Sequence, residues 1–566
     1  HPLDLWVGAV GLLLVLEAAR RSLGWALPVL AGAFLVYGWA GPYLPDWLMP
    51  HRGYDLERLV GQTFLHSQGV FGIALQVMLT YVFLFLLFGA LLEATGATQF
   101  VLDATKRLFA GSPGGSAKVA VISSGLLGSL SGSAVANTAT TGTFTIPMMK
   151  AAGFRAHTAA GLEAAASSGG ALVPPVMGAG AYMMLELVQP PVSYLQIMRA
   201  AILPAVLYYL SLFWIVHWRA ELVRAQGRVQ GASPAPTGGG RLLRFEGVVF
   251  GAGLALLLLF MLLGSSVFRS VTLASAGALA LSFLSPRTRL TGRQLVAVLV
   301  KTSAGATALV AAAASVGVVL GVVTLTGMGS RLPALLLPLA EQNLLLALAA
   351  LMVSSIVLGM GLPSAVCYLL LATLVGPVLG NLGVVPLAAH LFIFYFGMMS
   401  MVTPPVALAA YAASSIAGSK LLASSMAAFR FALVGFTLPY LFVFRPQLLM
   451  LAPDGGPASW GSVALAFVLA ALGIAPLAAA MAGWLRGPLG WPARMLLVLS
   501  AMLALFPGEG PVFRSAHVSI WNLLGIALFL VLWLIPRRSP RDAPRFGSTS
   551  ARPPGPETPG SSPPGG

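Results

Sequence analysis

The sequence predicts an all-α polytopic membrane protein with two inverted repeats, each holding a re-entrant helical hairpin and a broken helix. Three observations lead to this fold class. The composition is strongly apolar, a series of apolar segments is long enough to cross a bilayer, and two short motifs each occur twice at nearly one spacing.

The composition excludes a soluble protein. Of 566 residues, 58% are apolar and 8% are charged, and the mean hydropathy is +0.89. A soluble domain carries about 25% charged residues, so most of this chain must face lipid. The single cysteine, Cys367, excludes a disulfide framework. The formal charge of +16 comes from cations between apolar segments. This pattern indicates basic cytoplasmic loops, and we expect no binding to nucleic acid.

The apolar segments divide the chain into scaffold and transport regions. One segment differs, because Asp103, Lys106 and Arg107 make it amphipathic and typical of a helix along the membrane surface. An ordinary helix end is the alternative. We predict scaffold helices at 1–98, an interfacial helix at 99–118, a first transport repeat at 119–189, scaffold helices at 190–343 with a cytoplasmic loop at 218–246, a second transport repeat at 344–420, C-terminal helices at 421–536 and a disordered cytoplasmic tail at 537–566.

The repeat is indicated by two pairs of motifs. GSLSGSAV begins at Gly128 and GMGLPSAV begins at Gly359, 231 residues later. Pro-Pro-Val begins at Pro174 and again at Pro404, 230 residues later. Two matches at almost one spacing favour a duplication. Chance alignment of small residues is the alternative.

Each repeat shows the same order of features. An apolar stretch meets a Gly/Ser-rich tip, at 128–133 or 359–364, and a second apolar stretch follows, then a helix interrupted by Pro-Pro. Non-helical backbone at membrane depth must be buried in protein or line a watery cavity. We therefore expect both tips to belong to helical hairpins that enter and leave on one side. A pair of kinked spanning helices is the alternative.

Charges give the orientation of the two hairpins. Five predicted crossings separate them, and an odd number makes the repeats inverted. Lys118, Lys150 and Arg155 place the mouth of the first hairpin in the cytoplasm, whereas only Arg331 and Glu341 lie near the second, which opens outside. The same parity places these cations inside: Arg219, Arg224, Arg228, Arg241, Arg244, Arg287, Arg289, Arg293, Lys420, Arg486, Arg494, Arg537 and Arg538. Inverted repeats with broken helices are typical of secondary transporters.

Long ordered motifs carry a family resemblance. They are GSLSGSAVANTATTGTFTIPMMKAAGF, EAAASSGGALVPPVMGAGAYMM, VLGMGLPSAVCYLLLATLVGPVLG and HLFIFYFGMMSMVTPPVALAAYAAS. From Leu3 to Phe444 the chain resembles the large membrane subunit of tripartite ATP-independent periplasmic (TRAP) transporters, and within them the TAXI-type group, whose membrane subunits are often fused. The resemblance implies an elevator-type mechanism, symport with sodium or protons, and a bacterial or archaeal inner membrane. It also implies a TAXI-type periplasmic binding protein that delivers an organic anion, such as a carboxylate.

Two features depart from that family pattern. Fused members carry about four small-subunit helices ahead of the large subunit, whereas this chain starts near the first large-subunit helix, at His1 without an initiator Met. We expect the small membrane subunit on another chain or in a segment ahead of His1. After Phe444, about three further apolar segments follow, and the resemblance assigns them no role.

Sodium prefers oxygen ligands, which unwound backbone and Ser, Thr or Asn side chains supply. The predicted sodium ligands of the first repeat are Ser131, Gly132, Ser133, Asn137, Gly169 and Gly170. Those of the second repeat are Gly359, Gly361, Ser364, Met399 and Thr403. Helix packing through small residues is the alternative for each of them. We expect no catalytic residue, no cofactor and no metal other than sodium.

The substrate carboxylate is expected between the two tips, where half-helix N-termini direct positive dipole ends at it. The candidate substrate contacts are Thr138, Thr140, Thr141, Pro174, Pro175, Pro363 and Pro404. A threonine in a membrane helix often bonds only its own backbone, which is the alternative for the three threonines.

Glu163 is the acid most deeply placed in an apolar run, and an intramembrane acid is a functional candidate. It is a candidate proton or charge relay, and a position near the cytoplasmic interface is the alternative. Glu93 and Glu186 lie nearer helix ends and are predicted to be interfacial. His390 opens a broken helix, and a structural role is the favoured interpretation.

Other functional classes have less support. The chain has no HExxH, no GxSxG around the first tip and no P-loop, so an intramembrane enzyme or an ATP-driven motor is not indicated. A passive channel stays open. Within transporters, the alternative is a divalent-anion/sodium symporter that works without a binding protein.

Overall fold

The structure is a computed structural model that describes residues 2–225, 245–329, 331, 343–506 and 518–535. Within these ranges the chain is helical, and the only β-bridges are the isolated pairs Leu451–Pro457 and Trp484–Pro488. Several features predicted from sequence lie outside the described residues. They are most of the loop at 218–246, Arg228, Arg241, Arg244, Glu341, Arg537, Arg538 and the tail at 537–566.

The first half of the chain forms helices α1 to α14. Their bounds are α1 Pro2–Leu23, α2 Ala26–Trp39, α3 Leu56–Val60, α4 Ile73–Val77, α5 Phe83–Ala94, α6 Ala97–Leu108, α7 Gly115–Ser131, α8 Ala134–Ala151, α9 Ala156–Gly170, α10 Ala179–Leu187, α11 Tyr194–Ala225, α12 Phe245–Leu262, α13 Val267–Ser282 and α14 Gly292–Thr326. A π-helical turn at Met78–Val82 joins α4 to α5, so the two form one apolar rod, Ile73–Ala94.

The second half forms helices α15 to α22. Their bounds are α15 Leu344–Gly359, α16 Ser364–Asn381, α17 Pro386–Met399, α18 Leu408–Ala417, α19 Leu421–Phe444, α20 Trp460–Ala482, α21 Trp491–Leu505 and α22 Ile520–Leu534.

Six helices in the described part of the chain are long and apolar enough to cross a membrane. They are Ile73–Ala94, Tyr194–Ala225, Phe245–Leu262, Gly292–Thr326, Leu421–Phe444 and Trp460–Ala482. A span needs about 20 apolar residues. The outer surfaces are themselves apolar, with exposed side chains such as Trp6, Leu262 and Trp533, as lipid requires. The prediction of an all-α polytopic membrane protein is therefore confirmed.

Two boundaries differ from those expected. Helix α11 continues to Ala225, so the first part of the predicted loop at 218–246 is helical. Trp218 stacks on Trp214 and Ala220 is buried, and this packing extends the helix. The amphipathic helix runs from Ala97 to Leu108, and the transport hairpin already begins at Gly115, so the predicted interfacial segment 99–118 holds most of the first helix and the start of the hairpin.

One helix plan occurs twice at the motif spacing. The hairpin α7–α8 corresponds to α15–α16, and the interrupted pair α9–α10 corresponds to α17–α18. In the first repeat Gly128 lies against Gly170, where an added Cβ would come within 2.7 Å of the Gly170 Cα. In the second, the equivalent Gly359 meets Ser400, whose hydroxyl donates to the Gly359 carbonyl at 3.1 Å. The same hairpin position therefore contacts the same broken-helix position in both halves.

The core holds the transport repeats between scaffold helices. Helix α9 packs on α7, α8, α18 and α19, and its residues from Thr158 to Gly170 are all buried. Among the scaffold helices, α14 packs on α1, α2 and α5. Helices α20 to α22 pack on one another, and α20 lies on α11. The buried Arg445 joins this C-terminal unit to the rest, since its guanidinium donates to Asn522 at 2.8 Å.

Candidate transport site

The first tip is a tight turn between α7 and α8. Helix α7 ends at Ser131 and is followed by Gly132, whose φ of 60° is left-handed and favours glycine. Ser133 then caps α8, its hydroxyl accepting from the Ala136 amide at 3.3 Å. An added Cβ on Gly132 would lie 2.7 Å from the Met177 carbonyl oxygen. The tip thus fits against the backbone that follows the Pro-Pro break.

The second tip is built by different residues. Helix α15 ends at Gly359, Gly361 adopts a φ of 81°, and Pro363 precedes the first residue of α16. Proline fixes its own φ and provides no amide donor, so it suits the entry to a helix. Both tips therefore combine a left-handed glycine with a helix start.

A single cavity of about 400 Å³ lies between the two tips. From the first tip it is lined by Ser131, Gly132 and Ser133, and from the second by Pro363 and Ser364. Apolar and aromatic residues form much of the remaining wall, among them Leu23, Phe85, Tyr182, Leu309, Met401 and Leu408. Among the described residues no charged side chain lines this cavity, which we call the tip cavity.

Two helices begin at the tip cavity. The first residues of α8, from Ala134 to Ala136, and the first residues of α16, Ser364 and Ala365, all line it. First-turn amides have no partner within their own helix and carry a partial positive charge. The cavity is therefore apolar in its walls and electropositive at two points.

The breaks after the two Pro-Pro pairs have matching backbone. Met177 and Ala407, each three residues after the first proline of its pair, both have positive φ, at 65° and 42°. In the first repeat the Val176 carbonyl accepts from the hydroxyls of Tyr182 and Tyr194. Tyrosines therefore satisfy the backbone that the interrupted helix leaves free.

The predicted sodium ligands of the first repeat occupy two places. Ser131, Gly132 and Ser133 line the tip cavity. Asn137 points elsewhere, donating to the Ser124 carbonyl at 2.8 Å and to the Ser167 hydroxyl at 3.1 Å.

The two glycines of the predicted set, Gly169 and Gly170, pack closely. An added Cβ on Gly169 would lie 2.1 Å from the Tyr208 ring, and Gly170 contacts Gly128. The set is not brought into one cluster, and sodium binding at it stays a prediction.

The predicted ligands of the second repeat are also spread. Ser364 lines the tip cavity, whereas the Gly359 carbonyl accepts from Ser400. The Thr403 hydroxyl donates to the Met399 carbonyl at 2.7 Å. Gly361 faces Val406 and Ala26 with room for a side chain. Sequence reasoning missed Ser400, although it occupies the position equivalent to Gly170 by the repeat spacing.

Of the predicted substrate contacts, Pro363 lines the tip cavity. Thr138 and Thr140 donate to carbonyls of their own helix, those of Ala134 and Ala136, at 2.8 and 3.0 Å. The residues that do not line the cavity are Thr138, Thr140, Thr141, Pro174, Pro175 and Pro404.

Glu163 lies at the centre of a buried polar cluster. Its carboxylate is fully buried and accepts hydrogen bonds from four hydroxyls. Ser124 of α7 donates at 2.7 Å, Thr145 of α8 at 2.6 Å and Ser167 of α9 at 3.1 Å, and Thr141 of α8 makes a short bond. We call these five residues the Glu163 cluster. Sequence reasoning missed Ser124, Thr145 and Ser167 as its members.

The remaining candidate residues lie apart from both sites. His390 is buried, and its Nδ1 lies 2.7 Å from the Tyr368 hydroxyl. Glu93 pairs with Lys301 at 2.8 Å, joining α5 to α14, and Glu186 is exposed. Across the described ranges no group of three or more His, Cys, Asp or Glu could hold a metal ion.

Comparison with known proteins identifies the family. The model of the DctM component of the tripartite ATP-independent periplasmic transporters matches residues 10–453. The chain belongs to the DctM family of TRAP transporter large permeases. It is 26% identical over 465 residues to the 2,3-diketo-L-gulonate TRAP transporter large permease protein YiaN of Escherichia coli, covering 80% of this chain and 98% of the relative. It is 28% identical over 332 residues to a Haemophilus influenzae sequence assigned as a TRAP transporter large permease protein, covering 57% of this chain and 74% of the relative.

Family membership decides the class of the molecule. This DctM-family permease is a multi-pass membrane transport protein and not an enzyme. The expected resemblance to TRAP large permeases is confirmed at the family level. The matched region ends at 453, so α20 to α22 lie beyond it.

Proposed function

We propose that this permease is a secondary active transporter that imports an organic anion through the tip cavity. The single observation that supports this most directly is that two tips, 231 residues apart in sequence, line one cavity. Substrate sites at the interface of two repeats with discontinuous helices are typical of secondary transporters.

An anionic substrate suits the chemistry of the tip cavity. The starts of α8 and α16 present first-turn amides to it, and the hydroxyls of Ser131, Ser133 and Ser364 can supply further donors. Helix N-termini favour negative groups. Because the rest of the wall is apolar, a carboxylate with a compact organic body is the substrate class we propose. The E. coli relative is named for 2,3-diketo-L-gulonate, which is such an anion.

The hairpins enter and leave on one side in this proposal. Helices α7 and α8 have 17 and 18 residues, and α15 and α16 have 16 and 18. A helix of this length is about 26 Å long, less than the roughly 30 Å of a hydrocarbon core. Both pairs turn at the tip cavity, which supports re-entrance. The charge distribution supports opposite orientations of the two repeats.

The position of the tip cavity supports an elevator motion. Its walls come from the two transport repeats and from scaffold residues on α1, α5 and α14, such as Leu23, Phe85 and Leu309. Movement of the repeats along these scaffold helices would carry a bound solute across the membrane. Sodium ions or protons supply the driving gradient, with sodium held by the Ser and Gly oxygens of the tips.

The proposed partners come from the family. A periplasmic binding protein of the TAXI type delivers the substrate, and a small TRAP membrane subunit on another chain or an upstream segment completes the complex in a bacterial inner membrane. Two alternatives are a passive channel and a divalent-anion symporter that works without a binding protein. No observation on this chain favours either of them, and the uptake test distinguishes both from the proposed carrier.

Uptake by proteoliposomes tests the proposed function. Purified permease is reconstituted with the candidate binding protein and small subunit, and labelled organic acids are offered with a sodium gradient, a pH gradient or neither. We expect concentrative uptake that needs the binding protein and one gradient. Uptake without the binding protein would favour the symporter, and uptake that only equilibrates would favour a channel.

Gly132→Ala tests the tip itself. A methyl group there meets the Met177 carbonyl and strains a left-handed residue, so we expect at least about a tenfold loss of uptake. Gly111→Ala is the matched control, because Gly111 has a φ of 73° with nothing within 4 Å of an added Cβ. Equal losses in both variants would contradict a special role of the tip.

A further inference from the structure

The Glu163 cluster holds a carboxylate that has no other charge close to it. Glu163 is fully buried among α7, α8 and α9, and its four hydrogen-bond donors are neutral hydroxyls. Transfer of a charge from water to such an interior is costly unless hydrogen bonds replace the lost hydration. Four hydroxyl donors to one carboxylate supply that replacement in the ionised state.

The titratable groups on the surrounding helices are engaged elsewhere. On α11, the hydroxyls of Tyr208 and Tyr209 donate to the carbonyls of Ala165 and Ala166. Tyr395 of α17 is buried with its hydroxyl unbonded, and Tyr411 of α18 is exposed. The cations on the helices in contact with α9 are Lys118, which bonds Ser112, Lys150, which bonds the Ala417 carbonyl, the exposed Arg430 of α19, and Arg199, Arg219 and Arg224 of α11. Among the described residues none of these cations pairs with Glu163.

The hydroxyls also have acceptors for the protonated state. The Thr141 hydroxyl lies 2.8 Å from the Asn137 carbonyl, and the Thr145 hydroxyl lies 3.0 Å from the Thr141 carbonyl. A hydroxyl hydrogen rotates to suit its partner. When Glu163 takes up a proton, both threonines can donate to these carbonyls, and the new carboxylic O–H donates to a hydroxyl oxygen. The cluster thus satisfies both protonation states without moving a heavy atom.

The same distances disfavour a sodium ion inside the cluster. The oxygens of Ser124, Thr145 and Ser167 lie 2.6 to 3.1 Å from the carboxylate oxygens, which is hydrogen-bond distance. The space between them holds a hydrogen atom, and a sodium ion would have to separate the helices.

The cluster also contacts the structure of the first tip. Asn137, on the first turns of α8, bonds both the Ser124 carbonyl and the Ser167 hydroxyl. Gly128, at the end of α7, lies against Gly170 on α9. The Glu163 carboxylate joins these three helices through charge-assisted hydrogen bonds, which are stronger than neutral ones. Its protonation state therefore changes how firmly the hairpin is held on the broken helix.

We propose that Glu163 is a proton-binding site that takes up one proton on one side of the membrane and releases it on the other during each transport cycle. This rests on the proposed function of a gradient-driven carrier, and it makes the proton a coupling ion. The proton adds to one carboxylate oxygen and leaves from it to water, with no other bond formed or broken.

Glu163→Gln tests the proposal in proteoliposomes, because glutamine keeps the shape of the protonated acid and cannot release a proton. One unit of pH gradient supports about tenfold accumulation per coupled proton. We expect Glu163→Gln to abolish that accumulation, while exchange of labelled for unlabelled substrate without a gradient persists. Ser168→Ala is the matched control, since Ser168 directly follows the cluster residue Ser167 on α9 and is fully buried, with no partner for its hydroxyl. The control is expected to accumulate substrate as the wild type does.

Infrared difference spectroscopy on the purified permease tests the site without any substrate. Acidification of the wild type is expected to produce a carboxylic acid carbonyl band that is absent from Glu163→Gln and present in Ser168→Ala. The proposal would be overturned if Glu163→Gln accumulated substrate fully under a pH gradient. It would also be overturned if the wild type lacked this band at every accessible pH. If Glu163→Gln loses substrate exchange together with accumulation, the carboxylic acid band decides the outcome. Its presence in the wild type indicates a proton site, and its absence indicates a purely structural acid. If the wild type shows no uptake at all, the proposed function fails, and the band still tests Glu163.

Discussion

The two repeats share a backbone plan but differ in their interiors. By the repeat spacing, Glu163 corresponds to Ile393, Thr141 to Ala372 and Ser167 to Gly397. The first repeat thus holds a buried acid among hydroxyls, whereas these three equivalent positions of the second repeat are apolar or lack a side chain, and only Ser124 has a hydroxyl counterpart, Ser355. The tip geometry needs small residues and helix starts in both halves, so it is kept in both.

Stability must also come from different sources in the two repeats. In the second repeat, α17 carries the fully buried aromatic side chains Phe392, Phe394 and Phe396. The hydrophobic effect that stabilises these rings is non-directional, whereas a buried polar cluster depends on every bond being made. The first repeat should therefore be more sensitive to loss of a single hydroxyl.

The largest expected effect comes from Gly170→Ser, which gives the first repeat the residue of the second. The added Cβ would lie 2.6 Å from the Gly128 Cα, and backbone cannot move aside as a side chain can. We expect destabilisation of about 3 kcal/mol or more, the upper end for overpacking. Thermal unfolding in detergent measures it. Gly251→Ser on α12, with nothing within 4 Å, is the control. Equal Tm values would show that the two repeats tolerate the same contact.

A smaller effect is expected from Ser124→Ala, compared with its equivalent Ser355→Ala. Ser124 donates to the Glu163 carboxylate, and a bond to a charged group is worth about 2 kcal/mol. The Ser355 hydroxyl is buried without a partner, so its removal should leave Tm unchanged or raised. If both substitutions lower Tm equally, the hydrogen bond from Ser124 to Glu163 does not make the first repeat more dependent on its serine than the second.

The smallest effect concerns the second repeat alone. Tyr368→Phe removes the bond to His390 and should cost about 1 kcal/mol. Tyr395→Phe removes a buried hydroxyl with no partner and should cost nothing. The same unfolding assay compares the two variants. A larger loss of stability for Tyr395→Phe than for Tyr368→Phe would contradict a stabilising hydrogen bond between Tyr368 and His390.

Much of the fold was predictable because it depends on local properties of the chain. Apolar segments of spanning length, the amphipathic stretch around Asp103 and the two motif pairs all lie within short windows of sequence. The membrane requires helices wherever such segments cross it. The exceptions are ends such as Ala225, where Trp214 and Trp218 prolong a helix by packing that no hydropathy window contains.

The site was predictable only in part. Ser131, Ser133 and Ser364 belong to the tips, and the tips were expected from their glycines and their position between apolar stretches. Asn137 was placed with them but turns to Ser124 and Ser167. Successive residues of a helix point about 100° apart, so the face a side chain occupies depends on how the helix is rotated in the bundle.

By itself the sequence determined that this protein is a helical membrane transport protein with a duplicated plan, and that Glu163 is its most deeply placed acid. Only the tertiary structure decided that Ser124, Thr145 and Ser167 surround that acid, that the two tips meet in one cavity, and that α20 lies on α11. Local composition dictates where helices form. Which side chains meet across helices follows from the packing of the whole chain.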